Sequence, residues 1–325
     1  MRAFVTGATG FVGSHLVDAL RTAGHDVVVL ARNPAKAGRL FGSRPPTVVT
    51  GDLSDRKALR AGLEGAEVVF HVAGLVAARR RADFYAVNTE ATARVADAAR
   101  EAGSVRRFVH VSSLAAAGPT SRDVPLVGTE PASPVTEYGR SKLAAERALQ
   151  DRDLPWVIVR PPAVYGPRDQ EFYKMFRLAR LGVTPVFGDG SQQLSLIYAE
   201  DLARALVAGA EAPAQHIYYA AHPEIVTSRA LVEAVHAAVR PERGAPFILP
   251  IPGPIARAAL WVTGTAAYVR GAATVLSADK ADEFLAEAWT CSPDRLAQAT
   301  GWTPTVDLRA GVGHTFEWYR AHGWL

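Results

Sequence analysis

The chain opens with a short apolar run, 2–6, that passes directly into Thr6-Gly7-Ala8-Thr9-Gly10-Phe11-Val12-Gly13 and then into a helical pattern over 11–23. A strand, a glycine turn and a helix in immediate succession constrain the fold more than any other feature. Glycine permits the tight turn and the close approach of a second backbone or a ligand, and the N–H groups at a helix N-terminus favour an anion such as pyrophosphate. Further apolar runs recur at 26–31, 47–50, 67–71, 106–111 and 156–160, alternating with helical patterns at 55–61, 83–102 and 136–150. Parallel strands need crossover helices, so the alternation predicts an α/β fold built on a Rossmann-like doubly wound parallel sheet.

After Arg160 the rhythm breaks at Pro161, Pro162 and Gly166-Pro167, then resumes near 194–197 and 216–219. The expected organisation is therefore interleaved. Residues 1–160 and 193–222 form the dinucleotide-binding domain, and 161–192 with 223–325 form a smaller, mostly helical substrate lobe; 325 residues suit two such lobes. The apolar stretch 254–269 reads first as a helix packed on that lobe, with a lid or a membrane-surface contact as alternatives. A net charge of +4 spread over the chain gives no basic groove, so nucleic acid is not expected as a partner. No stretch is long and apolar enough to predict a membrane span. The lone Cys291 excludes an intrachain disulfide framework, and with no secretory leader pattern at Met1 the expected location is cytoplasmic.

The cofactor reading rests on strand ends. Gly7, Gly10 and Gly13 would surround a pyrophosphate. The second strand ends in Ala31-Arg32-Asn33, with Arg32 where an acidic residue would otherwise accept a ribose 2′-hydroxyl. A guanidinium can pair with a 2′-phosphate that a carboxylate would repel, so NADP(H) is expected ahead of NAD(H). Asp52 and Leu53 follow the third strand, towards the adenine; Ala73 and Gly74 follow the fourth, beneath the phosphates and ribose. Tyr138 and Lys142 stand four residues apart, on one face of a helix. The lysine cation is expected to lower the phenol pKa and fit Tyr138 for proton exchange, with Ser113 at the end of the fifth strand holding the same substrate oxygen.

In chain order, TGATGFVG, GDL, HVAG, AVNTEAT, VSS, YGRSK, RPPAVYGP and IYAEDLA make the sequence resemble the extended short-chain dehydrogenase/reductase superfamily over nearly its whole length. The resemblance implies a Rossmann domain with a substrate lobe, and Ser113, Tyr138 and Lys142 as catalytic residues. It implies pyrophosphate contacts from Gly7, Gly10, Phe11, Val12 and Gly13, ribose and adenine contacts from Arg32, Asp52 and Leu53, and a nicotinamide path along Ala73, Gly74, Asn88 and Ser112. Tyr138 and Lys142 would also meet the nicotinamide ribose, while Pro161 to Val164 would pack near the ring. Homodimers are common in the superfamily, so a homodimer is possible.

The substrate expectation rests on departures from the sugar-nucleotide pattern. Leu194 stands where epimerases of this superfamily carry a diphosphate-binding arginine, and Val76 where they carry a lysine. Losing those cations weakens the case for a nucleotide sugar, although Arg168, Arg177 or Arg180 could compensate. The 160–167 segment, the apolar 246–269 region and the aromatic C-terminus look closer to the 3β-hydroxysteroid dehydrogenase and dihydroflavonol reductase branch. The expected activity is NAD(P)-dependent interconversion of a ketone or aldehyde and an alcohol on a hydrophobic small molecule, whether steroid-like, flavonoid-like or long-chain acyl. A nucleotide-sugar epimerase or dehydratase and a nonenzymatic dinucleotide sensor are the alternatives. His71 and His110 read as structural, Asp201 as a cap for the helix that follows it, and no metal is expected because His216, His222 and His236 lack ligand spacing.

Overall fold

A computed structural model describes residues 1–42, 45–242 and 244–325. The first strands are β1 (Arg2–Thr6), β2 (Asp26–Ala31), β3 (Thr47–Thr50), β4 (Val68–His71), β5 (Arg107–Val111) and β6 (Trp156–Arg160). The chain then passes through β7 (Ala163–Tyr165), β8 (Val183–Phe187) and β9 (Gln193–Tyr198) before β10 (His216–Tyr219) returns beside β6. The large sheet has seven strands in the order β10-β6-β5-β4-β1-β2-β3, and every pairing in it is parallel. The order reverses between β1 and β4, which opens a crevice at the carboxyl ends of the strands where ligands bind in such sheets.

The strands are apolar on both faces because both faces are covered. Val5, Val29, Phe70, Val109 and Val157 face one core, together with Leu16 of the Phe11–Thr22 helix and Leu202 of the Ala199–Gly209 helix. Phe4, Val28, Val69, Phe108 and Ile158 face the other, with Leu59, Val95 and Leu149 from three crossover helices. The α/β expectation therefore holds. Its helices differ in detail: the pattern over 83–102 resolves into Arg81–Phe84, a π-helical turn Tyr85–Glu90 and Ala91–Ala102. A helix at Pro34–Phe41, capped by Asn33, was absent from the sequence reading.

The remainder of the chain is less uniformly helical than expected. Strands β11 (Ile225–Thr227) and β13 (Ala288–Trp289) flank β9 in a four-stranded sheet, with β7 pairing β9 off that path, and β12 (Phe247–Ile251) pairs β8. Helices Ser228–Val239, Gly253–Val269, Asp294–Thr300 and Leu308–Ala321 surround them. An aromatic cluster of Tyr165, Phe172, Phe176, Tyr198 and Tyr319 fills the centre of this part.

Candidate active site

At the carboxyl end of β1, Gly7 has φ +73°, and a Cβ on it would lie 2.5 Å from the Ala73 nitrogen. A Cβ on Gly13 would lie 2.2 Å from the Gly7 carbonyl oxygen. The turn, the first helix and the 72–74 loop thus pack backbone against backbone, which only glycine permits. The Phe11–Thr22 helix carries no acidic residue in its first turn and no side-chain cap. Its positive dipole end is left facing the crevice, a cradle that fits the pyrophosphate of a dinucleotide. Phe11 and Val12 are half-buried at its start.

Arg32 is exposed just beyond β2. The Ser54 hydroxyl and N–H donate to Asp52 at 2.6 and 2.8 Å, and these bonds, with a smaller contribution from the Arg32 charge, hold the Asp52 carboxyl below its ordinary range. Arg94 binds the carbonyl of Leu53 at 3.2 Å, fixing that segment against the neighbouring helix.

Ser113, Tyr138 and Lys142 are brought together by a close helix contact. The Glu137–Gln150 helix starts at Thr136, whose hydroxyl accepts from Gly139 N at 3.1 Å. A Cβ on Gly139 would lie 2.3 Å from the Ala115 carbonyl oxygen, so this helix rests directly on the Leu114–Ala117 turn. Ser113 caps that turn, accepting from Ala115 N at 3.1 Å. The contact sets the half-buried Tyr138 phenol beside the Ser113 hydroxyl. One turn on, Lys142 is buried and donates to the Val111 carbonyl at 2.7 Å.

Asn88 locks the other wall. Its amide oxygen accepts from Leu75 N at 2.7 Å, and its amide nitrogen donates to Leu75 O at 3.0 Å and to the Ser141 hydroxyl at 2.9 Å. Gly74 leaves space there: a Cβ would meet Asn88 Oδ1 at 3.1 Å and Lys142 Nζ at 3.7 Å. Ser112, in contrast, turns its hydroxyl to Glu146, whose carboxylate also accepts from Arg160 at 2.6 and 2.8 Å. Pro161 is tied to the same turn as Ser113 through Leu114 N to Pro161 O at 2.8 Å. Val164 sits in β7, opposite Ile197.

Burial, rather than the lysine, dominates the Tyr138 electrostatics. It pushes the phenol up to about 12, opposed by the neighbouring Ser113 hydroxyl. Burial also pulls Lys142 down to about 8, while the Glu146 charge acts in the opposite sense. The expected lowering of the tyrosine by Lys142 is corrected accordingly, since the ammonium is directed at the Val111 carbonyl. Lys280 was missed by sequence reasoning. Its ammonium lies 4.9 Å from the Tyr138 ring centroid and is held by Glu283 at 2.7 Å. Nothing local in the sequence marks it, because the contact joins segments far apart in the chain.

His71 lies between the Thr6 and Thr92 hydroxyls at 2.7 and 3.0 Å, and His110 stacks on it at 5.5 Å. Both are fully buried. Asp201 does not cap its own helix: its carboxylate accepts from Thr305 N and Val306 N at 3.1 and 3.0 Å. Among the described residues no group of three or more His, Cys, Asp or Glu is arranged to hold a metal ion. Leu194 pairs in register with Val226 and Trp289, and Val76 is exposed.

A glycine turn at the switch point of a parallel sheet, with serine, tyrosine and lysine gathered at the strand ends beside it, defines a dinucleotide-binding protein of the short-chain dehydrogenase type. Residues 3–221 match the NAD dependent epimerase/dehydratase family, and the chain belongs to it. It is 36% identical to the ceramide reductase of Caulobacter vibrioides (strain NA1000 / CB15N), over 99% of this chain and 95% of that protein. It is 32% identical to the UDP-glucose 4-epimerase of Mycolicibacterium smegmatis (strain ATCC 700084 / mc(2)155), over 98% and 99% of the two chains. Among solved structures, MoeE5 in complex with UDP-glucuronic acid and NAD superposes with a TM-score of 0.75 at 26% identity, covering 99% of this chain and 100% of that one. The family's cofactor is a nicotinamide dinucleotide, NAD or NADP.

Proposed function

We propose that the protein is an NADPH-dependent reductase that converts a ketone or aldehyde on a hydrophobic, long-chain molecule to the alcohol. The observation that carries this reading is the meeting of Ser113, Tyr138 and Lys142 beside the glycine cradle. When bound, the dinucleotide supplies hydride to the carbonyl carbon. The Ser113 hydroxyl holds the carbonyl oxygen, and Tyr138 gives its phenolic proton to that oxygen as the alcohol forms. A phenol raised to about 12 enters the reaction protonated at neutral pH, which suits donation. Lys142, one turn from Tyr138 and donating to the Val111 carbonyl, is placed to hold the nicotinamide ribose.

In this reading Gly7, Gly10, Phe11, Val12 and Gly13 hold the pyrophosphate, and exposed Arg32 pairs with a 2′-phosphate. Asn88 sets the loop carrying Ala73 and Gly74, while Pro161 and Val164 back the nicotinamide. A hydrophobic substrate, close to the steroid and flavonoid reductase branch in pattern, is supported by the missing cations. Leu194 is packed within the four-stranded sheet. Arg168, a possible substitute cation, is bound to Asp18 at 2.9 Å and Ser14 at 3.0 Å. Arg177 lies over the Tyr173 ring. The likeness to a protein named ceramide reductase favours a lipid among hydrophobic carbonyls; the likeness to a UDP-glucose 4-epimerase favours the second reading, a nucleotide-sugar enzyme.

The test is NADPH oxidation, with NADH in parallel, over long-chain keto lipids, cyclic ketones and nucleotide 4-keto sugars. Turnover of a keto lipid, reduced about 10²-fold or more in Tyr138→Phe with NADPH binding retained, is the expected result. Turnover of the sugars alone would replace this reading with the second, and undiminished turnover by Tyr138→Phe would remove Tyr138 from the chemistry.

A further inference from the structure

We propose that the outer face of the Gly253–Val269 helix docks on the surface of an anionic phospholipid bilayer, beside the mouth of the reductase site. The proposal deepens the reductase reading, on whose hydrophobic substrate it rests. The helix buries only Ala256 and Leu260. At 3.6 residues per turn Ile255, Val262 and Val269 fall on one line, and Trp261 and Tyr268 on a second about 100° around the helix. Their exposures run from 56% to 79%. A surface helix ordinarily turns a polar face to water. This one turns an apolar stripe outward, and β12, which leads into it, adds exposed Phe247 and Leu249.

Charge selects the occupant. Residues 244–278 contain no acidic residue and no lysine, only Arg257 and Arg270. Arg257 is taken by Asp282 at 2.8 Å. The Arg79 guanidinium lies 5.6 Å from the Tyr268 ring centroid, and among the described residues neither Arg79 nor Arg270 has a carboxylate partner, unlike the neighbouring Arg80 and Arg81. An apolar stripe with tryptophan, tyrosine and unpaired arginine is the composition of a helix lying in a lipid interface. A second copy of the same face would set arginine against arginine, with no carboxylate in the stretch to meet them. No helix among the described residues is long and apolar enough to cross a membrane.

The opposite side of the same helix adjoins the site through short links. Thr263 donates to the Leu276 carbonyl at 2.8 Å, and a Cβ on Gly264 would meet Ser277 Cα at 3.2 Å. The next turn carries Asp279, which accepts from Glu137 N at 3.0 Å, and Lys280 over the Tyr138 ring. A long-chain substrate leaving the bilayer at this helix would thus emerge beside the segment that carries Lys280 to the Tyr138 ring.

The experiment is co-sedimentation of the full chain, without cofactor or substrate, with phosphatidylcholine vesicles and with vesicles containing phosphatidylglycerol as well. Stronger binding to the anionic vesicles is expected. Trp261→Glu with Val269→Glu should reduce it about tenfold or more, since two apolar anchors leave the interface, and Arg270→Glu should weaken binding to the anionic vesicles alone. A control keeps folding and the reductase reading separate: the double variant should retain the wild-type melting temperature and its turnover of a short, water-soluble ketone. Equal, weak sedimentation with both vesicles would overturn the proposal. A wild-type dimer that Trp261→Glu converts to monomer would also overturn it, by assigning the face to a second copy.

Discussion

His71 shows how far a titratable side chain can be removed from the role its type implies. It sits in the crevice wall between two threonine hydroxyls, and burial pulls its pKa down to about 3. The ring is therefore neutral at physiological pH, and the proposed proton transfer is assigned to Tyr138 instead. The linkage has a defined sign: between the unfolded value near 6.5 and about 3 the unfolded chain binds the proton and the folded chain does not, so stability falls as pH falls. Each pH unit inside that window costs up to about 1.4 kcal/mol for this one group. The stability contributed by neutral His71 is complete above pH 6.5 and lost progressively towards pH 3. His71→Gln keeps a hydrogen-bonding side chain but removes the titration, so its stability in urea should decline less steeply than wild type between pH 6.5 and 4. Identical slopes would show that His71 becomes protonated without unfolding. Residue type and position were legible here, since the ring ends an apolar strand; the size of its burial was not, because both threonine partners come from other strands or helices.

The element that sets the geometry of the proposed catalytic group is the Glu137–Gln150 helix, seated on the Leu114–Ala117 turn at Gly139. The Y-x-x-x-K spacing is visible in sequence because a helix puts those positions on one face. That Tyr138 reaches Ser113 is not, because it depends on how closely two backbones approach. Gly139→Ala tests the approach. Helix propensity favours alanine by about 1 kcal/mol, while a Cβ placed 2.3 Å from the Ala115 carbonyl forces backbone to move. Overpacking of this kind costs about 1–3 kcal/mol, so the variant should unfold at lower urea and lose the proposed reductase turnover through a displaced Tyr138. A more stable, fully active variant would mean that the helix rides higher than described. The same limit explains the missed elements. Pro34–Phe41 is an eight-residue helix with a glycine inside it, whose Asn-Pro start was the only local signal. The short strands β11 and β13 exist because β9 lies between them, and two or three residues carry no periodicity of their own. The π-helical turn at Tyr85–Glu90 interrupts a pattern that reads as continuous helix, and it turns Asn88 onto Leu75 and Ser141.

Across the whole molecule the chain is stitched together by buried polar groups that join distant segments. The motif containing Asp201 is plain in the sequence, but its partners lie about a hundred positions further on. This carboxylate is fully buried, accepts from the N–H groups of Thr305 and Val306, and is paired with Arg204. It thereby fixes the approach to the Leu308–Ala321 helix, whose Tyr319 hydroxyl in turn donates to the Asp169 carbonyl at 2.6 Å. The Ala199–Gly209 helix that carries Asp201 shares a core with the Phe11–Thr22 helix behind the glycine turn. One acidic side chain thus couples the C-terminal segment to the scaffold of the cofactor cradle. Asp201→Ala would leave two part-buried N–H donors without their acceptor, each costing about 1 kcal/mol, while half-exposed Arg204 could turn to solvent. A loss of roughly 1–3 kcal/mol follows, and Asp201→Asn, which keeps one carbonyl oxygen as acceptor, should recover part of it. Urea unfolding gives the order of the three proteins, and limited proteolysis shows where the weakness appears. Cleavage of the alanine variant should begin in 300–325 at denaturant concentrations that leave the Rossmann sheet intact. If cleavage instead spreads evenly over the chain, Asp201 supports the sheet itself rather than the docking of the last helix.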